Sequence, residues 1–336
     1  MLAAIAITAL LLLLLWIAGT VLLTLFAGVL VGILLGGLGH WLNQHSPLSE
    51  GWALAIVSVA LAIFIGGGLW LLAPNITGQW DQLGSSLTTA ANRIRTFLSQ
   101  HGWGGAVLDS LSPQDLTADL RSIVNRILGV AYSFIGAIGS IAIILFIGIY
   151  TAASPDLYKT GIVRLFPLRH RPRAVEVLEE IAHMLRRWLL GRFISMLVVG
   201  AMTAVGLWLI GMPWALALGV LTGLLDFIPY IGPIIAGALA LLAAFAQGSS
   251  QLFYVFLLYF AIQMIESYLV TPLVQQRAVL MPPALLLSVQ VLLGVFFGIA
   301  GVALATPLAV VGLVVTKMVY IHDILGDRSD EESPRK

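Results

Sequence analysis

The chain has no cysteine among its 336 residues. Disulfides, thiolate nucleophiles and cysteine metal sites are therefore excluded. Charge is also scarce: Asp, Glu, Lys and Arg make up 10% of the residues, against 60% hydrophobic. A soluble domain carries far more charge, and this balance calls for several membrane spans. The G-x-x-x-x-G-K-[ST] phosphate loop is missing, so ATP hydrolysis of the P-loop kind is not expected. H-E-x-x-H and G-x-S-x-G are missing too, and the six histidines (40, 45, 101, 170, 183 and 322) are scattered. With no nucleophile facing a base, neither an enzyme nor a metal or cofactor site is expected. The net charge of +1 says nothing about partners. The basic stretch lies between spans, where topology explains it, so nucleic-acid recognition has no support.

What is present reads as a polytopic all-α membrane bundle of about eight to ten apolar segments. The chain starts apolar at Leu2 with no basic n-region, which reads as a span rather than a cleaved signal. Residues 2–18 and 20–40 are two apolar segments, and Gly19-Thr20 between them predicts a tight helical hairpin. Glycines 28, 32, 36, 37 and 39 suit close helix packing. A polar loop, 40–50, leads to a third span over 51–73, closed by Pro74; residues 1–74 form an N-terminal scaffold.

Over 75–129 charges return and the apolar residues become periodic. Trp80, Leu83, Leu87, Ala91, Ile94 and Leu98 recur at helical steps. After HGWGG, Ser112-Pro113 reads as an N-cap with proline at the first helical position. Leu116, Leu120, Ile123 and Ile127 continue the apolar stripe. This segment is expected to be an extracytoplasmic amphipathic cap. A fourth span covers 130–153. The basic linker, 154–192, holds Lys159, Arg164, Arg169, Arg171, Arg173, Arg186, Arg187 and Arg192, which marks the cytoplasmic side. Its helix, opened by Pro172, either binds anionic headgroups or only sets topology. His183 reads as solvated or interfacial. Residues 193–211 form the next span and end at Gly211-Met212-Pro213.

The segment 213–247 is apolar almost throughout. As one helix it would be roughly 50 Å long, against about 30 Å of hydrocarbon. It must therefore fold back, and Pro229, Gly232 and Pro233 mark the place. Residues 251–270 are a further span with Gln263 and Glu266, followed by a polar linker over 271–283. Residues 284–316 are again too long for one crossing, with Gly298, Gly301 and Pro307 as breakers, and a charged tail follows from Lys317. Each long segment either crosses fully twice or re-enters. Both alternatives leave the two termini cytoplasmic. As interrupted segments they invite comparison with the broken pairs that flank transporter sites, although no residue-by-residue repeat is visible.

Broken backbone at membrane depth needs protein or a water-filled cavity around it, and an ionisable residue beside it is a functional candidate. Asp226 fits that description. Its carboxylate can bind a cation or proton, or lock the break by accepting from backbone N–H groups. Tyr230 can contact a small polar ligand or anchor the loop. Glu266 shares a helix face with Gln263; it either serves transport or pairs with Arg192 or Arg277. Gln290 and Ser288 can line a polar pathway or bond between helices.

Residues 226–237, DFIPYIGPIIAG, resemble the signature of the autoinducer-2 exporter family of bacterial membrane transporters. GLWLIGMPWALALGV before it, Ile265-Glu266 with Thr271-Pro272, and FFGIAGVALATPLAVV extend the likeness, which is good over about 130–316 and holds in outline before that. Glu266, Thr271, Pro272 and Arg277 match family positions. The family often has a histidine before the proline that follows this arginine. Here Met281 precedes Pro282, so no proton role carries over. The resemblance implies a secondary transporter of the bacterial cytoplasmic membrane with its core in 193–316. It would export a small hydrophilic signalling molecule of the autoinducer-2 type by alternating access, the hairpin at 226–233 and the segment at 298–307 moving against the N-terminal spans. It also implies a homo-oligomer such as a pentamer. Sodium (lithium)/proton antiport is the first alternative, and a non-transporting envelope scaffold is a lesser one.

Overall fold

The computed structural model describes residues 2–63, 96, 138–270 and 281–327. The cap expected over 75–129 (residue 96 apart), the span residues 64–74 and 130–137, the positions Thr271, Pro272 and Arg277, and the tail beyond 327 lie outside the described residues. Every described element is helical. Helix α1 covers Leu2–His45, and α2 follows over Glu50–Ile63. Helices α3 (Ile138–Ala153) and α4 (Pro155–Arg164) are next. A short 3₁₀ turn at Leu168–His170 precedes α5 (Arg171–Leu209). Then come α6 (Ala215–Leu225), α7 (Ile231–Gln247), α8 (Ser249–Ile265) and α9 (Pro283–Val315). Helix α8 continues as a π-helical turn, Glu266–Val270, and α9 as Thr316–Ile324. Among the described residues four stretches are long and apolar enough to cross a membrane: Ala18–His45, Leu168–Leu209, Ser250–Val270 and Pro283–Ile324. Shorter apolar helices, among them α2, α6 and α7, accompany them.

The hairpin expected at Gly19-Thr20 is not formed, because α1 runs through both residues without a break. One glycine costs a helix only about 1 kcal/mol relative to alanine, which flanking apolar turns outweigh. The Thr20 carbonyl accepts a hydrogen bond from Thr24 Oγ1 four residues on, at 3.0 Å, as helical geometry requires. Nor does a break separate the basic linker from the span after it. Nothing between Arg171 and Leu209 interrupts the helix, and Pro172 sits in its first turn, where the missing N–H is harmless.

The chain forms two compact units. The first comprises residues 1–61, 139–190 and 277–336. Within it α1 crosses α3 at very short range. A Cβ on Gly28 would lie 2.5 Å from Ile147 Cγ2, and one on Gly32 would lie 2.8 Å from Thr151 Cβ. Small residues permit this approach, the usual means of helix association where no hydrophobic drive separates protein from lipid. Helix α9 breaks at Gly298, whose φ of 61° and ψ of −143° are open to glycine. A Cβ on Gly301 would stand 2.1 Å from the Leu293 carbonyl oxygen. Eight residues of straight helix span about 12 Å, so the chain turns sharply here.

The second unit comprises residues 62–138 and 191–276. The end of α5 is closed by a Schellman motif. Gly211, at φ 80°, donates to the Trp208 carbonyl, and Met212 donates to that of Leu207. Leu207 and Met212 enter a core shared with Trp214, Leu218, Leu239 and Val255. Alanines 240, 243 and 244 give α7 a narrow buried face on which its neighbours pack.

Candidate functional site

The break between α6 and α7 organises the second unit. Helix α6 ends at Asp226, whose N–H still donates to the Thr222 carbonyl at 2.8 Å. Phe227 and Ile228 donate to the carbonyls of Leu224 and Leu225, and Gly232 donates to that of Ile228. Tyr230 has φ 64° and ψ −54°, and the Ile231 N–H reaches back to the Pro229 carbonyl at 2.8 Å. This is a γ-turn of the strained hand, centred on a non-glycine residue. Pro229 lies in the break, whereas Pro233 is the third residue of α7. Between them, a Cβ on Gly232 would come within 1.8 Å of the Leu225 carbonyl oxygen. Only glycine lets the chain re-enter a helix so close to the one it has just left.

The Asp226 carboxylate does not lock these amides. Proline removes an N–H donor and so leaves carbonyls without partners, and the N–H groups of Phe227, Ile228, Ile231 and Gly232 all reach backbone oxygens. The carboxylate instead accepts from Arg192 Nη2 at 3.1 Å. Glu266 Oε1 lies 3.8 Å from Nη1 of the same guanidinium. The side chains of Arg192, Asp226 and Glu266 are 4%, 0% and 9% exposed. One buried cation thus meets two buried carboxylates. Asp226 sits at a helix C-terminus, where a negative charge opposes the macrodipole, so the arginine supplies needed compensation. Among the described residues, Asp226 Oδ2 and Arg192 Nε have no hydrogen-bond partner. Polar atoms buried in this way are uncommon and mark a place for a further polar group.

Glu266 opens the π-helical turn that ends α8. Such turns re-aim side chains and are frequent at functional sites. Gln263 donates to Glu266 Oε2 at 3.0 Å. One turn earlier on α8, the Tyr259 hydroxyl lies 2.8 Å from Thr222 Oγ1. Thr222 is one turn before Asp226 on α6. The sequence reading missed Thr222 and Tyr259. Their signal is the i, i+4 spacing of Thr222 with Asp226, and the stripe of Tyr259, Gln263 and Glu266 on an otherwise apolar helix.

Arg192, Asp226, Gln263 and Glu266 therefore come together in the second unit. Tyr230 is 45% exposed beside the break. Gln290 belongs to the first unit, where it is fully buried in α9. Ser288 donates to its own helix at the Ala284 carbonyl, 2.8 Å away. Gly298 is the break of α9; Gly301 and the buried Pro307 follow it inside the helix. Among the described residues no group of three His, Asp or Glu side chains converges as a metal cage would need. The site's chemistry is that of a fork of N–H donors between two acceptors. It can hold a small polar solute by hydrogen bonds, or a monovalent cation by its carboxylates.

Comparison with known proteins bears on the family. Residues 5–320 match the family model described as AI-2E family transporter. YueF of Bacillus subtilis (strain 168), provisionally named a transport protein, is 23% identical over 75% of this chain and 71% of its own length. YrrI of the same organism, named likewise, is 28% identical over 54% of this chain and half of its own. PerM of Escherichia coli (strain K12), provisionally named a permease, is 24% identical over 85% of this chain and 84% of its own. With a family match that takes in the whole broken-helix region and nearly all of the rest, the chain belongs to the AI-2E transporter family.

Proposed function

We propose that this protein is a secondary transporter that exports a small hydrophilic solute of the autoinducer-2 type by alternating access. The observation that carries the reading is the buried cluster of Arg192, Asp226 and Glu266 at a break between two apolar helices. Ionisable groups are costly in an apolar bundle and are kept there for binding or relay. Broken helices are where transporters place their sites. The α6–α7 hairpin carries Asp226, and its strained γ-turn at Tyr230 is a point where a small backbone change would move the carboxylate. The same reading puts the chain in the bacterial cytoplasmic membrane as a homo-oligomer. The arginines of 164–192 favour cytoplasmic termini.

A second reading, sodium (lithium)/proton antiport, has its own support. Two carboxylates face one guanidinium, so the cluster carries an excess negative charge when both are ionised. A monovalent cation or a proton would balance it, and Arg192 would act as a tethered competitor for the same oxygens.

The test is reconstitution in liposomes. Autoinducer-2 efflux and proton-gradient-driven sodium uptake are measured for the wild type, Asp226→Asn and Glu266→Gln. Autoinducer-2 flux without sodium exchange supports the exporter. Sodium uptake that vanishes in both variants, without autoinducer-2 flux, supports the antiporter. Absence of both fluxes in the wild type overturns both substrate assignments and favours an envelope scaffold.

A further inference from the structure

A second polar feature lies in the first unit, on α4 and the start of α5. Helix α4 starts at Pro155, two residues after the apolar helix α3 ends at Ala153. With α3 taken as the end of the span expected over 130–153, a helix joined so tightly to it stays at the membrane boundary. Its composition suits that place. Leu157, Leu165 and Leu168 are 70%, 84% and 76% exposed, with Ile162 and Phe166 exposed beside them. Interleaved with these are mostly basic charges: five Lys and Arg side chains against one acid between residues 154 and 173.

The charges line a built cleft. Asp156, Lys159, Thr160 and Arg164 of α4 and Arg171 and Val175 of α5 line a space of about 430 Å³. Arg171 holds the cleft's shape. Its Nε donates to the Phe166 carbonyl at 3.2 Å and its Nη2 to the Arg164 carbonyl at 3.3 Å, which fixes the turn between the helices. Lys159 is paired with Glu179. Arg164 and Arg169 are exposed and make no ion pair among the described residues.

We propose that the cleft between α4 and the start of α5 binds the headgroup of an anionic phospholipid, with Arg164 of the lining on the phosphate, Arg169 adding its charge from the exposed turn outside the lining, and the leucines of α4 and that turn among the acyl chains. Charge complementarity selects an anion. The apolar rim, continuous with a membrane helix, selects a lipid over a soluble phosphate. Amphipathic helices with basic and apolar faces seat themselves at this depth, and a basic residue at an anionic surface contributes about 1 kcal/mol, a factor of about five in affinity.

The test uses the full chain in detergent, with fluorescent phosphatidylglycerol and phosphatidylcholine as probes. Three proteins are compared: wild type, R164Q/R169Q, and the rim variant L157S/L165S, which keeps every charge. Phosphatidylglycerol should bind in preference to phosphatidylcholine, and added salt should weaken it. The arginine variant should lose about 25-fold, at about fivefold per charge. The rim variant should also bind several-fold more weakly. All the substituted residues are exposed, and the salt dependence of the wild type needs no variant. Equal binding of the two lipids would overturn the proposal, as would undiminished binding by R164Q/R169Q. Displacement of the lipid by inorganic phosphate, with the rim variant unaffected, would show a soluble-anion site instead and overturn it as well.

Discussion

Arg192 and Asp226 stand 34 residues apart in the chain and 3.1 Å apart in space, both buried. Removing one partner of such a pair leaves an uncompensated charge, at a cost of about 3–5 kcal/mol. Here the two partners are not equivalent, because Glu266 is a second carboxylate on the same guanidinium. Arg192→Met leaves two negative groups together and should cost about 3–5 kcal/mol, read as a fall in melting temperature in detergent. Asp226→Asn leaves one cation with one anion and can still accept from Arg192. Its loss should stay near 1–2 kcal/mol, so flux can be measured on folded protein.

Gln263 donates to Glu266 Oε2 from one helical turn away. Gln263→Ala removes that bond and leaves the ion pairing in place. We expect a stability loss of about 1 kcal/mol and a several-fold fall in flux, because Glu266 is less firmly aimed. Gln263→Glu should lower flux further, since it sets a third carboxylate beside the cluster.

The glycines give a graded test of the breaks. Gly232→Ala drives a Cβ into the Leu225 carbonyl, and Gly301→Ala does so at Leu293. Backbone oxygens cannot rotate away, so each should cost about 3 kcal/mol or more, at the upper end of overpacking. Gly36 in α1 has nothing within 4 Å of the added methyl. Gly36→Ala should stabilise by up to about 1 kcal/mol through helix propensity. Thermal unfolding of the three variants side by side checks the order.

Tyr230 occupies a γ-turn conformation that glycine adopts with far less strain. Tyr230→Gly should raise stability by about 1 kcal/mol through relief of strain, offset in part by lost side-chain contact. If the strain serves the movement of Asp226, flux should fall while the melting temperature rises. A fall in both would instead assign the phenol a packing or ligand contact.

Arg173 joins the start of α5 to the helical turns at Thr316–Ile324. Its guanidinium donates to Asp323 at 3.0 Å, to the Met318 carbonyl at 3.1 Å and to Glu176 at 2.7 Å. The group is partly exposed, so Arg173→Ala should change global stability by less than about 1 kcal/mol. Residues 316–324 should nevertheless become more open to limited proteolysis, because the two anchors at Asp323 and Met318 are lost together.

Hydropathy alone pointed to a multi-pass helical membrane protein, since a chain so apolar cannot expose its surface to water, and every described element is helical. Proline and glycine punctuation marked 226–233 and 298–307, because those residues change backbone options; within the second stretch the backbone leaves helical geometry at Gly298, while Gly301 and Pro307 stay inside the helix. The same logic failed at Gly19-Thr20: one glycine is weak punctuation, and the helical turns on either side carry through it. The sequence also nominated Arg192 for Glu266 among alternatives, but nothing in it tied Arg192 to Asp226. That pairing, the Thr222–Tyr259 contact and the pressing of Gly232 onto Leu225 depend on how α5, α6, α7 and α8 pack. Local propensity is decided within a few residues of chain, whereas a buried charge finds its partner only when separate helices close over it. Tertiary structure alone therefore decided which carboxylates share the buried Arg192.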